Sequence, residues 1–204
     1  MTTHADYEEI ISPNVYYDSH FEIEAAKILP GEYYVTARDM MMVTVLGSCV
    51  AACIFDRSAN IGGMNHFMLP DDRRDGGGVL GTSARYGTYA MEKMINELLK
   101  MGAKRSNLEA KIFGGGKVLR GFTVGNVGER NADFVLNYLH AESIAVMAQD
   151  MLDIYPRKVY FFPRTGKVLV KRLRNPHNDT IIEREQAYSA RLNGADVQGD
   201  VELF

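Results

Sequence analysis

Cysteine is scarce in this 204-residue chain, which has two, Cys49 and Cys53. A C-x-x-x-C pair is poorly spaced for a disulfide and cannot form a disulfide framework. The expected setting is therefore a reducing compartment, where a lone reactive thiol persists. Positive charge is not in excess, since the formal net charge is −3, which excludes a globally basic nucleic-acid binder. The start, Met1-Thr2-Thr3-His4-Ala5-Asp6, lacks the basic and apolar regions of a signal peptide. No apolar run is long enough to span a bilayer. A cytoplasmic protein without membrane insertion is expected. Internal repeats and low-complexity segments are absent as well.

Familiar ligand motifs also fail. Gly114-Gly115-Gly116-Lys117-Val118 lacks the Ser or Thr that follows Lys in a P-loop, and Leu119 spoils G-x-G-x-x-G. Cys49, Cys53 and His66 offer three possible ligands but no second closely spaced pair. Neither a metal nor a cofactor is expected.

What is present is a chain of ordinary globular composition, 46% hydrophobic, long enough for one domain with tails. Residues 1–26 are polar and tyrosine-rich and read as an N-terminal arm. Residues 27–174 read as the central domain, and 175–204 as a C-terminal extension. Within the domain, short strands are expected at Glu32–Thr36, Met41–Leu46, Val50–Phe55, Gly62–Leu69, Leu108–Ile112 and Ile144–Ala148. Periodicity does not separate strand from helix for Val50–Phe55; its length and the turn-like Asp56–Asn60 favour strand. Asp71–Gly78 reads as a charged surface loop. One helix carries Met91, Met94, Ile95, Leu98 and Leu99 and stops at Gly102. A second includes Ala132, Val135, Leu136 and Leu139. Arg157–Phe162 and Lys167–Leu173 form a hairpin, and Thr180 caps a short helix through Leu192. The mixture indicates an α+β fold, a layered α/β sandwich with mixed sheets.

Cys49 and His66 are the pair with chemistry to offer. A thiol attacks amide or ester carbonyls once a neighbouring base or positive charge favours the thiolate. His66 supplies that partner and returns a proton to the leaving group. Gly47 and Ser48 narrow the approach to Cys49, and backbone N–H groups at such a turn hold an oxyanion. Thr44 is the plausible third group, orienting the imidazole through its hydroxyl. Each residue alone has a plainer reading: a core cysteine, a core histidine, a β-forming threonine. Cys53, inside the apolar run, keeps the plain one.

Leu46-Gly47-Ser48-Cys49-Val50, Asp56 and Gly62-Gly63-Met64-Asn65-His66-Phe67-Met68-Leu69-Pro70 together resemble the CheD family of chemoreceptor glutamine deamidases. The resemblance continues through Ile112-Phe113-Gly114-Gly115, Gly128-Glu129-Arg130-Asn131 and Arg157-Lys158-Val159. It implies a cysteine-hydrolase-like deamidase fold, shared with a deamidating toxin domain. It also implies protein-glutamine deamidation through a Cys49 thioester with His66 as acid and base, with receptor methyl-ester hydrolysis as a side activity. Gly47, Ser48 and Asn65 would position the substrate, and Phe113, Gly114 and Gly115 would form a substrate or partner surface. The implied partners are cytoplasmic domains of methyl-accepting chemotaxis receptors and a CheC-type phosphatase. The alternative is a non-catalytic adaptor for the same partners. Two departures stand out. The family's threonine falls one position earlier, where this chain has Val43. Many relatives also carry a glycine pair after the aspartate, where this chain has Asp150-Met151-Leu152-Asp153.

Overall fold

The structure, a computed structural model, describes residues 14–70, 82–118, 127–173 and 179–194. Asp71–Gly78 and the termini lie outside the described residues. Ten strands form two five-stranded mixed sheets. The first runs β1 (Asn14–Asp18), β2 (Ile23–Lys27), β4 (Met41–Leu46), β9 (Arg157–Phe162), β10 (Lys167–Arg172). The second runs β3 (Tyr33–Thr36), β6 (Ile61–Asn65), β5 (Val50–Asp56), β7 (Leu108–Gly114), β8 (Ala145–Met151). Among the described residues three α-helices pack on these sheets: α1 (Thr82–Lys100), α2 (Val127–Ala141) and α3 (Asp179–Gly194). No helix among the described residues is long and apolar enough to cross a membrane.

Strand parity sorts the core into layers, because alternate side chains leave opposite faces. Val50, Ala52 and Ile54 of β5 join Met91, Met94 and Ile95 of α1 and Val135 and Leu139 of α2 in one cluster. Cys49, Ala51, Cys53 and Phe55 point the other way, to Met42, Leu46, Val159 and Phe161 of the first sheet. All of β5 is thus buried on both faces. A strand so placed is apolar throughout and shows no period-2 signal. The α1 helix buries Met91, Met94, Ile95 and Leu98. It ends as expected at Gly102, where Ala103 N–H bonds to Leu98 C=O and Gly102 N–H to Leu99 C=O. Parallel β7 and β8 flank α2 as a β-α-β unit.

Two boundaries differ from expectation. Residues 14–27 do not form a loose arm. They make β1 and β2, an antiparallel pair, and β2 continues parallel onto β4. Their polar character reflects position, since β1 is an exposed edge. Strand β6 stops at Asn65 rather than Leu69, although Phe67 still bridges to Val50.

Candidate active site

The turn between β4 and β5 carries Gly47, Ser48 and Cys49. Beside it, β5 and β6 pair so that Cys53 lies opposite Met64 and Val50 opposite Phe67. Cys49 and His66 therefore lie on the same face, the one between the sheets, and both are fully buried. Cys49 Sγ, a His66 ring nitrogen and a Glu185 carboxylate oxygen all lie within 4.8 Å of one another.

Parity on β4 decides between Thr44 and Val43. Val43 packs with Ala25 and Met41 on the outer face of the first sheet. Thr44 points inward, with its Oγ1 2.8 Å from His66 Nδ1. The same hydroxyl donates to the Ile28 carbonyl at 2.8 Å. A hydroxyl has one proton, so Thr44 must accept from His66 Nδ1–H. That arrangement selects the Nδ1–H tautomer and leaves Nε2 with its lone pair. Nε2 is buried and has no hydrogen-bond partner among the described residues.

The turn also presents a row of donors. Gly47 N–H donates to Glu185 Oε1 at 2.7 Å and Cys49 N–H at 3.2 Å, while Ser48 N–H reaches Oε2 at 2.8 Å. Ser48 Oγ donates to Oε2 at 2.7 Å. Three consecutive amides converging on one carboxylate make an anion-binding nest. Gly47 and Ser48 both turn their N–H groups to this carboxylate. Cys49 N–H joins them.

Asn65 is not brought to this nest. Its chain neighbours, Met64 on β6 and His66 just past it, face the inter-sheet core, so Asn65 faces the helices. There Oδ1 accepts from Ala52 N–H at 2.9 Å and Nδ2 lies 3.2 Å from Met91 Sδ. Phe113, Gly114 and Gly115 are also not a surface, since all three are buried. Phe113 fills the inter-sheet core. Gly115 N–H bonds to Cys49 C=O at 2.8 Å, and Gly116 N–H to Gly47 C=O at 2.7 Å. Gly114 has φ +109°, and a Cβ there would come within 2.2 Å of the Cys49 carbonyl oxygen. These glycines are a main-chain cradle under the Gly47–Cys49 turn. Asn131 of α2 completes it, donating to Ser48 C=O at 2.8 Å and accepting from Leu69 N–H.

Two other segments quoted for the resemblance brace the frame. Asp56 accepts from Ser58, Ala59 and Lys104 N–H. Burial opposes its charge, yet these donors hold its carboxyl below the usual range. Arg157 is fully buried, with Nε on Asp150 at 3.0 Å and its other nitrogens on the Tyr155 and Leu152 carbonyls. Leu152 and Asp153 have φ +61° and +68°, the conformation a glycine pair would adopt without strain.

The electrostatics describe a closed site. Burial, then the Glu185 carboxylate, pushes the Cys49 thiol well above its ordinary range. Burial, then the Arg184 guanidinium, lowers His66 to about 3. Both groups are neutral near pH 7. Cys49, His66 and Glu185 are also the donor set nearest to a metal site. The two Glu185 oxygens, however, already accept four hydrogen bonds from the turn, filling the lone-pair sites a cation would need.

Glu185 and Asn131 escaped the sequence reading. Asn131 lay inside a quoted motif, Gly128-Glu129-Arg130-Asn131, without an assigned role. For Glu185 a signal existed: Ile181, Glu185, Tyr188 and Leu192 fall on one helical stripe, with a carboxylate in an apolar row.

The family model described as CheD chemotactic sensory transduction matches residues 68–172. The chain is 64% identical to the "Probable chemoreceptor glutamine deamidase CheD" of Thiobacillus denitrificans, over 97% of this chain and 98% of the relative. It belongs to the CheD family. A relative of the same name from Herminiimonas arsenicoxydans is 62% identical over 97% of each chain. That of Shewanella oneidensis, named with the suffix 1, is 59% identical over 94% of this chain and 93% of its own. Among solved structures, the Bacillus licheniformis hypothetical protein YfiH aligns at TM-score 0.36 and 12% identity, over 73% of this chain and 67% of that one. The relatives extend past the family model to both ends of this chain, so the segment bearing α3 lies within the shared length.

Proposed function

We propose that this chain is a cytoplasmic protein-glutamine deamidase acting on chemoreceptors, with Cys49 as nucleophile and His66 as acid and base. The carrying observation is the imidazole: Nδ1–H is tied to Thr44 and Nε2 is buried without a hydrogen-bond partner among the described residues, in a ring that has a nitrogen within 4.8 Å of Cys49 Sγ. An inert core histidine would have both nitrogens satisfied.

Nε2 takes the proton from the Cys49 thiol, and the thiolate attacks the side-chain carbonyl carbon of a receptor glutamine. Negative charge develops on the carbonyl oxygen, which settles among the Gly47, Ser48 and Cys49 N–H groups. One such donor is worth roughly 10²–10³-fold. The imidazolium then protonates the departing nitrogen, the C–N bond breaks, and ammonia leaves a thioester. Water, deprotonated by His66, adds to the thioester. The C–S bond breaks, releasing glutamate and restoring the thiol. Acid–base help of this kind contributes roughly 10²–10⁴-fold. A methyl ester follows the same route with methanol as leaving group. Thr44 acts through His66, holding its tautomer and ring plane.

The test is incubation with cytoplasmic receptor fragments, with Gln-to-Glu conversion located by peptide mass spectrometry. Wild type converts specific glutamines and Cys49→Ala converts none. Conversion that survives Cys49→Ala overturns the mechanism. Receptor binding without conversion by wild type would instead leave the adaptor reading, in which the chain binds receptors or a CheC-type phosphatase without chemistry.

A further inference from the structure

The nest that should receive a substrate oxyanion is already filled, and by this chain itself. The Glu185 carboxylate takes the three amides and the Ser48 hydroxyl. It does not touch the nitrogen that Thr44 holds, so it is no orienting member of a triad. It lies where the reacting group of a substrate would lie. Chemically it is also a glutamate side chain presented from a helix, the same group that glutamine deamidation produces.

Three further observations fit this placement. Cys49 has 0% exposure with α3 docked, and a Glu185 carboxylate oxygen lies within 4.8 Å of its Sγ, so α3 is part of what closes the thiol off. Gly47 is close-fitted between two neighbours: a Cβ there would come within 2.6 Å of Val118 Cγ2 and 2.7 Å of Glu185 Oε2. After burial, Glu185 is what raises the Cys49 thiol and Arg184 what lowers the His66 imidazole, while Arg184 partly offsets Glu185 at the thiol. Arg184 Nη2 donates to Val45 C=O at 2.9 Å, and Tyr188 Oη lies 2.6 Å from Tyr86 Oη. Ile181 and Tyr188 are its buried apolar anchors.

We infer that α3 is a tethered product analogue: Glu185 occupies the oxyanion nest and closes the site, and a substrate helix bearing glutamine must displace it. This rests on the deamidase reading of the nest and adds to it an autoinhibitory state. Joined to β10 by a short segment, the carboxylate is present at an effective concentration on the order of millimolar or more. A receptor helix therefore competes with Glu185 for one nest. It succeeds when its own contacts exceed those of Ile181, Tyr188 and Glu185. Release exposes the thiol, removes the opposing charges and frees the three amides in one step.

The test reads the thiol, not receptor turnover, so it is independent of the deamidation assay. Full-length protein is treated with iodoacetamide, and alkylation of Cys49 and Cys53 is followed by peptide mass spectrometry. Wild type should react slowly at both. Glu185→Ala and Tyr188→Ala should each react at least tenfold faster at Cys49, with Cys53 unchanged. A synthetic peptide of residues 179–194 should restore protection to full-length Glu185→Ala, and the same peptide carrying Glu185→Ala should not. Unchanged Cys49 rates in both variants would overturn the proposal. So would equal acceleration at Cys49 and Cys53, which marks general loosening of the core. In the receptor assay, released variants should show a higher kcat/KM. A receptor assay silent for every variant, with the labelling pattern intact, would count against the substrate and not against the plug.

Discussion

Beneath the Gly47–Cys49 turn, the chain is held largely main chain to main chain, by Gly115 and Gly116 N–H, with Asn131 adding one amide. Above it, alongside Val118, the cover includes side chains of one helix: Arg184, Glu185 and Tyr188. Main-chain contacts of the first kind cannot be released without undoing β5 and β7, which pair along their whole length. Side-chain contacts of the second kind are released by moving one helix. The turn thus has a permanent floor and a removable lid, and the nest keeps its shape whichever occupant it holds.

The floor can be broken most severely at Gly114. Gly114→Ala should cost about 4 kcal/mol or more and lower the thermal midpoint sharply, since a Cβ would sit 2.2 Å from the Cys49 carbonyl oxygen. Gly102→Ala is the control. Its φ of +107° nearly matches the +109° of Gly114, but a Cβ there meets nothing within 4 Å. It should lose about 1–2 kcal/mol, and the gap between the two isolates the close approach. Equal losses would show that backbone angle alone accounts for Gly114.

Acid should sharpen the comparison next. His66 has a folded value of about 3 against about 6.5 unfolded. Below pH 6.5 the unfolded chain takes the proton first, so stability falls as pH drops, by on the order of 3 kcal/mol down to pH 4. The Cys49 thiol and the Glu185 and Arg184 side chains face this ring. Denaturant unfolding of wild type and His66→Gln across that range should show the loss in wild type alone. Because burial by α3 contributes to the shift, Glu185→Ala should show a smaller loss than wild type.

The smallest effect concerns Thr44, on the floor side but acting on the imidazole. Thr44→Val should lower kcat about 10²-fold, the low end of what acid–base help supplies, with KM little changed. Thr44→Ser, which keeps the hydroxyl, should recover most of it. Val43→Ala, on the opposite face, should reduce stability and leave kcat alone. A kcat loss confined to Val43→Ala would remove Thr44 from the positioning role.

Much of this was legible in the residues. The apolar stripe of α1 and its Gly102 stop, the β9–β10 hairpin and the Cys49–His66 pair all follow from local pattern, because periodicity and turn chemistry act over a few residues. Residues 14–27 were misread because an edge hairpin can be polar on its open side, and polarity alone resembles an arm. Gly114 and Gly115 signalled a special backbone, yet whether glycines open a surface or admit a neighbouring chain depends on what packs there. Asn65 shares a motif with His66, but one step along a strand reverses the face.

The sequence by itself determined the family, the layered α+β class and the two groups able to carry out covalent amide chemistry. Those depend on residue identity and short spacing. Only the tertiary structure decided that Thr44 rather than Val43 meets the imidazole, since that is a matter of strand parity. It also showed that a glutamate far along the chain fills the nest beside Cys49. Glu185 reaches that nest because three amides without acceptors attract an anion, and α3 folds back to supply one.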